Sequence, residues 1–408
     1  MRVLQIHKTF RRTGGADTFF FKTCDLLTEH GHEVAHFSTR HPQNLPSPFA
    51  SYFVDGFTYA GVKHFSTTRK MKAFLNGIYS FDAKQSLSRL VKDFKPDLAH
   101  VHSFNYQLSP AIFDVFKNSA VPLVVTLHDY HVICGAGTLH VNGGLCERCR
   151  GGRHYNLLLN SCYWNLPASL MATLSHYVHD VRDSWSTPSK FLAPSRFLQA
   201  KLIEFGIASS SIAHVPIFID YPEAPTENKC ALDYVLYFGQ LGPTKGIEVL
   251  LEAVNTLDCR LLIIGSGPLS AWVDEHCAAS GGRMRRIPFI SSREELRQYI
   301  ERAAFSAVPS IWYENQPATI LETYAMGRPV IGSRLGGIPE LIEENGTGLL
   351  CEPGNATDLG EKIRFLLGRP DLCREWGRNG NRKLREEFSR ESHYDRLMAI
   401  YSSVLNAN

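Results

Sequence analysis

The segment Pro309–Gly337 constrains this chain more than any other, because two glutamates bracket a predicted helix start within it. Its pattern predicts a loop, a short helix over Ala318–Met326 and then a strand. Glu314 lies in the loop and Glu322 inside the helix, with seven residues between them. A helix N-terminus presents free N–H groups and partial positive charge, so it can hold a phosphate. An acid on either side can accept from sugar hydroxyls; two ordinary structural acids are the alternative.

The same segment resembles a family signature over nearly thirty residues. From position 314 it reads ENQPATILETYAMGRPVI, and from position 336 it reads GGIPELI. This run is similar to the E-x7-E motif of the retaining glycosyltransferases of family 4. The resemblance implies an α/β fold of the GT-B class, in which two Rossmann-like α/β/α domains face a deep interdomain cleft. It also implies a C-terminal helix that crosses back to the first domain.

The resemblance assigns roles within this segment. Glu322 is expected to bind the ribose diol of a nucleotide-sugar, and Glu314 is expected to contact the hydroxyls of the donor sugar. The helix start between them is expected to offer N–H groups to the donor phosphates. The donor-binding residues implied here are Asn315, Gln316, Pro317, Ala318, Thr319 and Glu322.

Length and charge limit the function classes. At 408 residues the chain is long enough for two domains, and an apolar content of 44% can fill two cores. With 43 Lys+Arg against 40 Asp+Glu, the net charge of +3 disfavours nucleic acid as the main partner. No run approaches the roughly 18 apolar residues that a membrane span needs. The N-terminus shows no leader-like apolar region, so a cytoplasmic protein is expected.

The pair Gly14 and Gly15 lies where the first domain is expected to approach a ligand. The pattern predicts a strand over Arg2–His7, a helix over Ala16–His30 and a strand over Val34–Ser38, which is the start of a doubly wound sheet. In the resembled family this loop approaches the donor phosphates, which makes both glycines predicted donor-binding residues. A plain turn is the alternative, since no G-x-G-x-x-G is present.

His128 follows a predicted apolar strand over Val121–Leu127, and ligands bind at the carboxyl ends of such strands. The run TLHDY resembles the T-x-H-D segment of the same family, in which the histidine lines the donor-sugar pocket. A neutral imidazole can donate to a sugar hydroxyl without adding charge. A structural pair of His128 with Asp129 is the alternative.

Four cysteines fall within the Gly- and Asn-rich segment 134–162. Their spacing is C-x11-C-x2-C-x12-C, and it has the ligand count of a tetrahedral zinc site. Four thiolates would close the metal shell, so the predicted zinc is structural and not catalytic. Reduced free thiols and a disulfide are the alternatives. The four cysteines are Cys134, Cys146, Cys149 and Cys162.

Two segments of the first domain have surface character. Val62–Lys72 carries four Lys/Arg and no acid, so it is either an ordinary solvated face or a basic surface for anionic lipid headgroups. Ala168–Trp185 predicts an amphipathic helix. Core packing is expected for its apolar face, and a peripheral contact with the membrane surface is the alternative. That face comprises Leu170, Leu174, Tyr177, Val178 and Val181.

Lys245 lies at the start of the second predicted domain, after a strand and just before a helix. There it can reach an anionic group. The resembled motif is G-R-L-x-x-x-K-G, in which Arg and Lys both neutralise the donor diphosphate. Lys245 fits this motif, but Gln240 stands where Arg is expected, and Arg328 or Arg334 are candidate substitutes. Downstream, the family's G-x-G-P turn implies donor contacts from Gly265 and Gly267.

Together these features predict a retaining glycosyltransferase that moves a sugar from a UDP- or GDP-linked donor to a glycan or lipid-linked acceptor, in cell-surface polysaccharide synthesis. The candidate catalytic residues are His128, Glu314 and Lys245, with no metal required for catalysis. The predicted domains are 1–215, 222–385 and a C-terminal helix over 386–408. A sugar-nucleotide epimerase is one alternative. A non-catalytic nucleotide-sugar-binding protein is another, and Gln240 favours it.

Overall fold

The computed structural model describes residues 1–57, 62, 65–117, 119–163, 165–221 and 233–407. The chain divides into two compact units. The first consists of Met1–Pro216 and His393–Asn408, and the second of Ile217–Ser392. The basic stretch Val62–Lys72 lies partly outside the described residues.

The strands of the described residues are numbered in chain order. They are β1 Arg2–His7, β2 Glu33–Phe37, β3 Thr39–Arg40, β4 Val54–Asp55, β5 Leu98–Ser103, β6 Leu123–Thr126, β7 His140–Val141, β8 Gly144–Leu145, β9 Lys190–Ala193, β10 Ile212–His214, β11 Tyr234–Phe238, β12 Leu261–Ile264, β13 Met284–Ile287, β14 Ala303–Val308, β15 Val330–Ser333 and β16 Gly348–Cys351.

The α-helices of the described residues are numbered in the same way. They are α1 Gly15–Glu29, α2 Thr67–Ile78, α3 Phe81–Phe94, α4 Asn105–Leu108, α5 Asn156–Leu159, α6 Leu166–Val181, α7 Arg196–Glu204, α8 Ile247–Asn255, α9 Ser270–Ala279, α10 Arg293–Arg302, α11 Ala318–Ala325, α12 Ile338–Leu341, α13 Ala356–Leu367, α14 Pro370–Glu387 and α15 Arg390–Asn406.

The first unit is built on a six-stranded parallel sheet in the order β2-β1-β5-β6-β9-β10. Its strands are short, apolar and buried, as expected for a parallel sheet covered on both faces. The last helix, α15, belongs to this unit over most of its length. Its Leu397, Tyr401 and Val404 pack in one cluster with Val3 and Leu98.

The second unit holds a parallel sheet in the order β13-β12-β11-β14-β15-β16. The order in which the chain adds strands reverses between β11 and β14, which makes this position the topological switch point of the sheet. Ligands bind at such a switch point in doubly wound sheets. The predicted doubly wound architecture is therefore confirmed in both units.

The helix α6 corrects one prediction about packing. Core packing was expected for its apolar face, but Leu170, Leu174, Tyr177 and Val181 are exposed, and Val181 is 89% accessible. The residues that the helix buries are mainly small or polar, and His176 is one of them. The expectation was wrong because the 3.6-residue period locates an apolar stripe but not the side on which the domain lies.

The helices can be compared with the length and hydropathy that a membrane span needs. Within the described ranges, none of the helices is both long enough and apolar enough to cross a lipid bilayer.

Candidate functional site

The centre of the second unit's carboxyl edge is the carboxylate of Glu314, in the loop after β14. Its Oε1 accepts from Lys245 Nζ at 2.7 Å, Ser310 Oγ at 2.8 Å and Trp312 Nε1 at 2.9 Å. Lys245 Nζ also lies 4.7 Å from the Trp312 ring centroid, in reach of a cation–π contact. One carboxylate oxygen thus gathers three donors, while Oε2 takes part in none of these three contacts.

Close backbone packing holds this arrangement in place. Ile311 donates its N–H to Thr244 O at 2.9 Å, which joins the loop after β14 to the loop that carries Lys245. Gly246 makes the approach feasible, because a Cβ there would lie 1.8 Å from Pro309 O. The pair of Lys245 and Glu314 is therefore built by two loops of the switch point and not by neighbours in sequence.

The helix α11 starts beside Glu314, and its N-terminus is open. Pro317 is the N-cap residue and supplies no side-chain hydrogen bond. Ala318 and Thr319, the first two residues of the helix, are half-buried. An uncapped N-terminus next to a lysine is suited to a phosphate.

The other predicted residues of this segment have different environments. Gln316 is committed to the backbone of Ile217, whose N–H donates to Gln316 Oε1 at 2.7 Å. Glu322 is half-buried on α11, whereas most of that helix is buried. Asn315 is half-buried beside Gln316. Gln316 therefore anchors the loop through its side chain.

Gly265 and Gly267 lie in the loop after β12, which packs against the loop after β11. A Cβ at Gly265 would lie 1.9 Å from Gly239 O, and one at Gly267 would lie 2.4 Å from Leu241 O. Close packing of the two loops explains both glycines. Gln240, in the loop after β11, has an exposed side chain.

The two arginines considered as substitutes for the missing cation each bond to another group. Arg328 is 1% exposed and donates to the carbonyl of Glu301, at the edge of the sheet where β14 and β15 begin. That edge is opposite to the one that carries Lys245, so Arg328 cannot replace the missing arginine. Arg334 follows β15 and pairs with Glu344 at 2.8 Å. Arg328 therefore adds no positive charge next to Lys245.

In the first unit, His128 follows β6 and belongs to a group of histidines at the ends of neighbouring strands. Its Nε2 lies 3.4 Å from His102 Nδ1, and His102 Nε2 lies 2.9 Å from Gln5 Oε1. Phe19 packs edge-on against the His128 ring. Burial lowers the pKa of His128 to about 3, and that of His102 well below its ordinary value, so both rings are neutral at pH 7.

Asp17 is a residue that the sequence analysis missed. Its carboxylate accepts from His7 Nε2 and Thr9 Oγ1, both at 2.7 Å, and from Thr13 N–H at 3.1 Å. Burial alone would raise its pKa, but the hydrogen bonds from His7 and Thr13 hold the pKa of Asp17 below its ordinary value. The aspartate fixes the loop before α1, and its signal in the sequence was an acid in the first turn of a helix.

Gly14 and Gly15 stand at the start of α1, after this loop. A Cβ at Gly14 would meet only Asp17 Oδ2, at 4.0 Å, and a Cβ at Gly15 would meet nothing within 4 Å. Packing within the described residues therefore does not require glycine at either position. The approach of a ligand to these two glycines stays a prediction.

The four cysteines come together around one small cavity. Cys134, Cys146, Cys149 and Cys162 all line it, together with His140. Burial raises the pKa of Cys149 to about 12 and that of Cys162 to about 11, and the neighbouring thiols add to both shifts. Among the described residues, however, no group of three or more His, Cys, Asp or Glu is arranged to hold a metal ion. The zinc site stays a prediction.

Two family models match this sequence and together extend over most of it. The model described as Glycosyltransferase Family 4 matches residues 13–221, just over half of the chain. The model described as Glycosyl transferases group 1 matches residues 226–383. The chain belongs to the glycosyltransferases that these two models describe.

Two curated relatives each match less than half of this glycosyltransferase. It is 29% identical over 176 residues to alpha-D-kanosaminyltransferase of Streptomyces kanamyceticus, a match covering 42% of this chain and 45% of the relative. It is 30% identical over 200 residues to the amylovoran biosynthesis glycosyltransferase AmsK of Erwinia amylovora, covering 44% and 47%. Each match spans less than half of the relative's length.

A solved structure shares the whole fold. HepE of Anabaena, crystallised in complex with UDP, superposes with a TM-score of 0.65 at 16% identity, over 99% of this chain and 100% of HepE. With two Rossmann-like units and the C-terminal helix, the likeness confirms the GT-B fold class of this glycosyltransferase.

Proposed function

We propose that this protein is a retaining glycosyltransferase of family 4 that transfers a sugar from a nucleotide-sugar to a hydroxyl of a glycan or lipid-linked acceptor. The observation that carries the proposal is the pairing of Lys245 with Glu314 beside the uncapped start of α11. This edge supplies a cation and open N–H groups, which a diphosphate needs, next to an acid that can bind hydroxyls.

The donor is held by its diphosphate and its ribose. Lys245 and the first N–H groups of α11 meet the phosphate oxygens, and Glu322 accepts from the ribose diol. The lysine is already placed by Glu314, so little side-chain freedom is lost when the donor arrives. The UDP complex of HepE supports uridine as the first base to test, with GDP-sugars as the second.

Transfer breaks the bond between the anomeric carbon and the β-phosphate oxygen, and forms a bond between that carbon and the acceptor oxygen. The nucleoside diphosphate leaves with the bonding electron pair, and its departing phosphate oxygen takes the proton that the acceptor hydroxyl loses. Lys245 and the α11 N–H groups stabilise the negative charge that develops on the leaving phosphate. Retention requires the acceptor to attack from the face that the diphosphate leaves.

His128 acts as a hydrogen-bond acceptor in this proposal, and the contacts of the buried network support that role. A phenol donates more strongly than it accepts, so Tyr401 Oη donates to His100 Nδ1 at 2.7 Å. Tyr401 then accepts from Gln5 Nε2, and Gln5 Oε1 accepts from His102 Nε2. The unprotonated His102 Nδ1 accepts from His128 Nε2. Nδ1 of His128 is left to accept from a sugar hydroxyl, and not to donate as the sequence suggested.

The acceptor and the cellular role rest on analogy. AmsK is named for amylovoran biosynthesis, which supports a glycan acceptor and a place in cell-surface polysaccharide synthesis.

A second candidate is a nucleotide-sugar-binding protein without transfer activity. Gln240 favours it, because one of the two cations of the family motif is missing and Arg328 is at the wrong edge of the sheet. Binding would survive on Lys245 and α11 alone, while the leaving diphosphate would be stabilised less.

A donor panel followed by a turnover assay tests these proposals. UDP- and GDP-sugars are screened for thermal stabilisation, and each hit is incubated with and without a glycan acceptor while release of the nucleoside diphosphate is measured. Glycosyl transfer is the expected result. Binding without release supports the second candidate, and no stabilisation by any donor contradicts both.

A further inference from the structure

One surface of the first unit carries large apolar side chains where a water-facing surface would carry polar ones. Its centre is α6, whose exposed residues recur every three or four positions and so form one stripe. Leu166, at the start of the stripe, is 64% exposed. The exposed residues of the stripe are Leu166, Leu170, Leu174, Tyr177 and Val181.

Two neighbouring helices extend the stripe. The helix α2 packs on α6, where His179 Nε2 lies 2.9 Å from Ile78 O, and α2 exposes Met71 and Leu75. The short helix α5 also packs on α6 and exposes Leu159, which is 73% accessible. We call the exposed apolar residues of α2, α5 and α6 the apolar surface.

Basic residues accompany the apolar surface, and acids are scarce in the segments that build it. Residues 56–81 and 148–179 contain no Asp or Glu. The exposed cations among the described residues of these segments are Arg69, Lys70 and Lys72 of α2, and Arg148, Arg150 and Arg153 in the loop before α5. Positive charge therefore lies beside exposed apolar side chains.

We propose that the apolar surface docks on an anionic phospholipid membrane. Apolar side chains on helices lying in the membrane plane insert between headgroups, while lysine and arginine meet the lipid phosphates. Tyr177 suits the interface because its ring is apolar and its hydroxyl polar. Docking would place this unit at the membrane without any spanning helix.

The charge pattern favours a membrane over a second copy of this chain. A symmetric dimer brings the same patch of both copies together. That would face Arg69, Lys70 and their basic neighbours with the same cations. Asp180 is the one acid of α2, α5 and α6, and its carboxylate already contacts His154 Nε2 and Trp185 Nε1. An anionic bilayer supplies both the apolar depth and the opposite charge.

Vesicle co-sedimentation of the full chain tests the proposal. Vesicles of phosphatidylcholine are compared with vesicles that also contain phosphatidylglycerol. The wild type should bind the anionic vesicles at least tenfold more tightly, and added salt should weaken that binding. Leu170→Gln with Leu174→Gln should lower the affinity for anionic vesicles at least tenfold, because both side chains are exposed and their loss spares the core.

Matched variants separate charge from apolar contact. Arg69→Gln with Lys70→Gln should weaken binding to the anionic vesicles only. Phe289→Gln, an exposed apolar residue of the second unit, should leave binding unchanged within twofold. Circular dichroism melts confirm that each variant is folded.

Three outcomes would overturn the proposal. The first is no binding of the wild type to anionic vesicles. The second is an equal loss of binding in Phe289→Gln. The third is a dimer in light scattering that Leu170→Gln with Leu174→Gln dissolves, which would assign the surface to a second copy. Nucleotide-sugar binding is measured on the same proteins, so failure of the proposed function is distinguished from failure of docking.

Discussion

Lys245 Nζ lies 2.7 Å from Glu314 Oε1, although 69 residues separate the two in the chain. The carboxylate holds the ammonium beside the start of α11 and also competes for it with any anion that binds there. Substituting Glu314 or Lys245 alone therefore tests the contribution of each charge.

Glu314→Gln should tighten the binding of UDP severalfold while it lowers the rate of transfer at least tenfold. The amide still accepts from Ser310 and Trp312, but it no longer holds Lys245 by charge, so the ammonium is freed for the diphosphate. Calorimetry and steady-state kinetics measure the two effects. Glu344→Gln, which breaks a surface pair with Arg334, serves as the matched control and should change neither. Weaker UDP binding in Glu314→Gln would contradict the competition.

Lys245→Ala should lower kcat/KM by about 100-fold or more, the usual loss when one preorganised donor to a developing anion is removed. Lys245→Arg should retain part of the activity, since the charge is kept and only its position changes. Steady-state kinetics with the best donor of the panel gives both values. Near wild-type activity in Lys245→Ala would exclude the lysine from leaving-group stabilisation.

Glu322→Ala should weaken the binding of UDP about tenfold but leave the binding of inorganic pyrophosphate unchanged, because the proposed contact is with the ribose. Glu361→Ala, an exposed glutamate on α13, is the control. Isothermal titration calorimetry separates the two ligands. Equal losses for UDP and pyrophosphate would place Glu322 at the phosphates or in the fold instead.

Gln5→Leu should alter the proton position on His128 without changing the charge of its ring. In the wild type, ¹⁵N NMR of labelled histidine should show His128 protonated at Nε2. In the variant that preference should be lost, and kcat should fall, while UDP binding stays as in the wild type. Gln5→Glu keeps the acceptor and should retain the Nε2–H form. A wild-type His128 protonated at Nδ1 would contradict the relay.

Acidification should destabilise the first unit more than the second. Burial lowers the pKa of His100 and His128 to about 3 and that of His393 to about 4, all in the first unit, whereas the unfolded value is 6.5. Below about pH 6.5 these histidines bind protons in the unfolded chain but stay neutral in the folded chain. The free energy of unfolding therefore falls as the pH is lowered. Fully buried His100 alone accounts for about 2 kcal/mol at pH 5.

Hydrogen exchange measured at pH 7 and pH 5 locates this effect. Faster opening of β5 and β6 at the lower pH is expected, with little change in β11 and β14. An equal loss of protection in both units would contradict the assignment to the buried histidines.

The zinc prediction is tested by metal analysis. One zinc per chain, lost in Cys149→Ser but kept in Cys259→Ser, is the expected result. Because burial raises the pKa of Cys149 to about 12, zinc binding should also release protons, which calorimetry in buffers of different ionisation enthalpy detects. Absence of zinc from protein purified without chelators would contradict the prediction and favour reduced free thiols.

Local patterns predicted the architecture well because they depend on near neighbours. The expected helix over Ala318–Met326 appears as Ala318–Ala325, and the strand expected over Arg2–His7 appears with those bounds. Alternation of apolar runs and glycine turns indicated the start of the first doubly wound sheet, and the family resemblance implied two such domains.

Contacts between distant segments could not be predicted in this way. The spacing of Glu314 and Glu322 suggested that Glu314 binds a sugar hydroxyl. It did not indicate that Glu314 would form an ion pair with Lys245. Gln316 was assigned to the donor by its motif, yet its side chain bonds Ile217. The prediction that the apolar face of α6 packs in the core failed for the same reason. Periodicity locates an apolar face on a helix but does not show which other segments cover it.

A crystal structure of the full chain with UDP tests the central claim most directly. The diphosphate should lie within hydrogen-bond distance of Lys245 Nζ and of an N–H group in the first turn of α11, with the ribose against Glu322. A diphosphate bound away from Lys245 and α11, with both left in contact with water alone, would contradict the account.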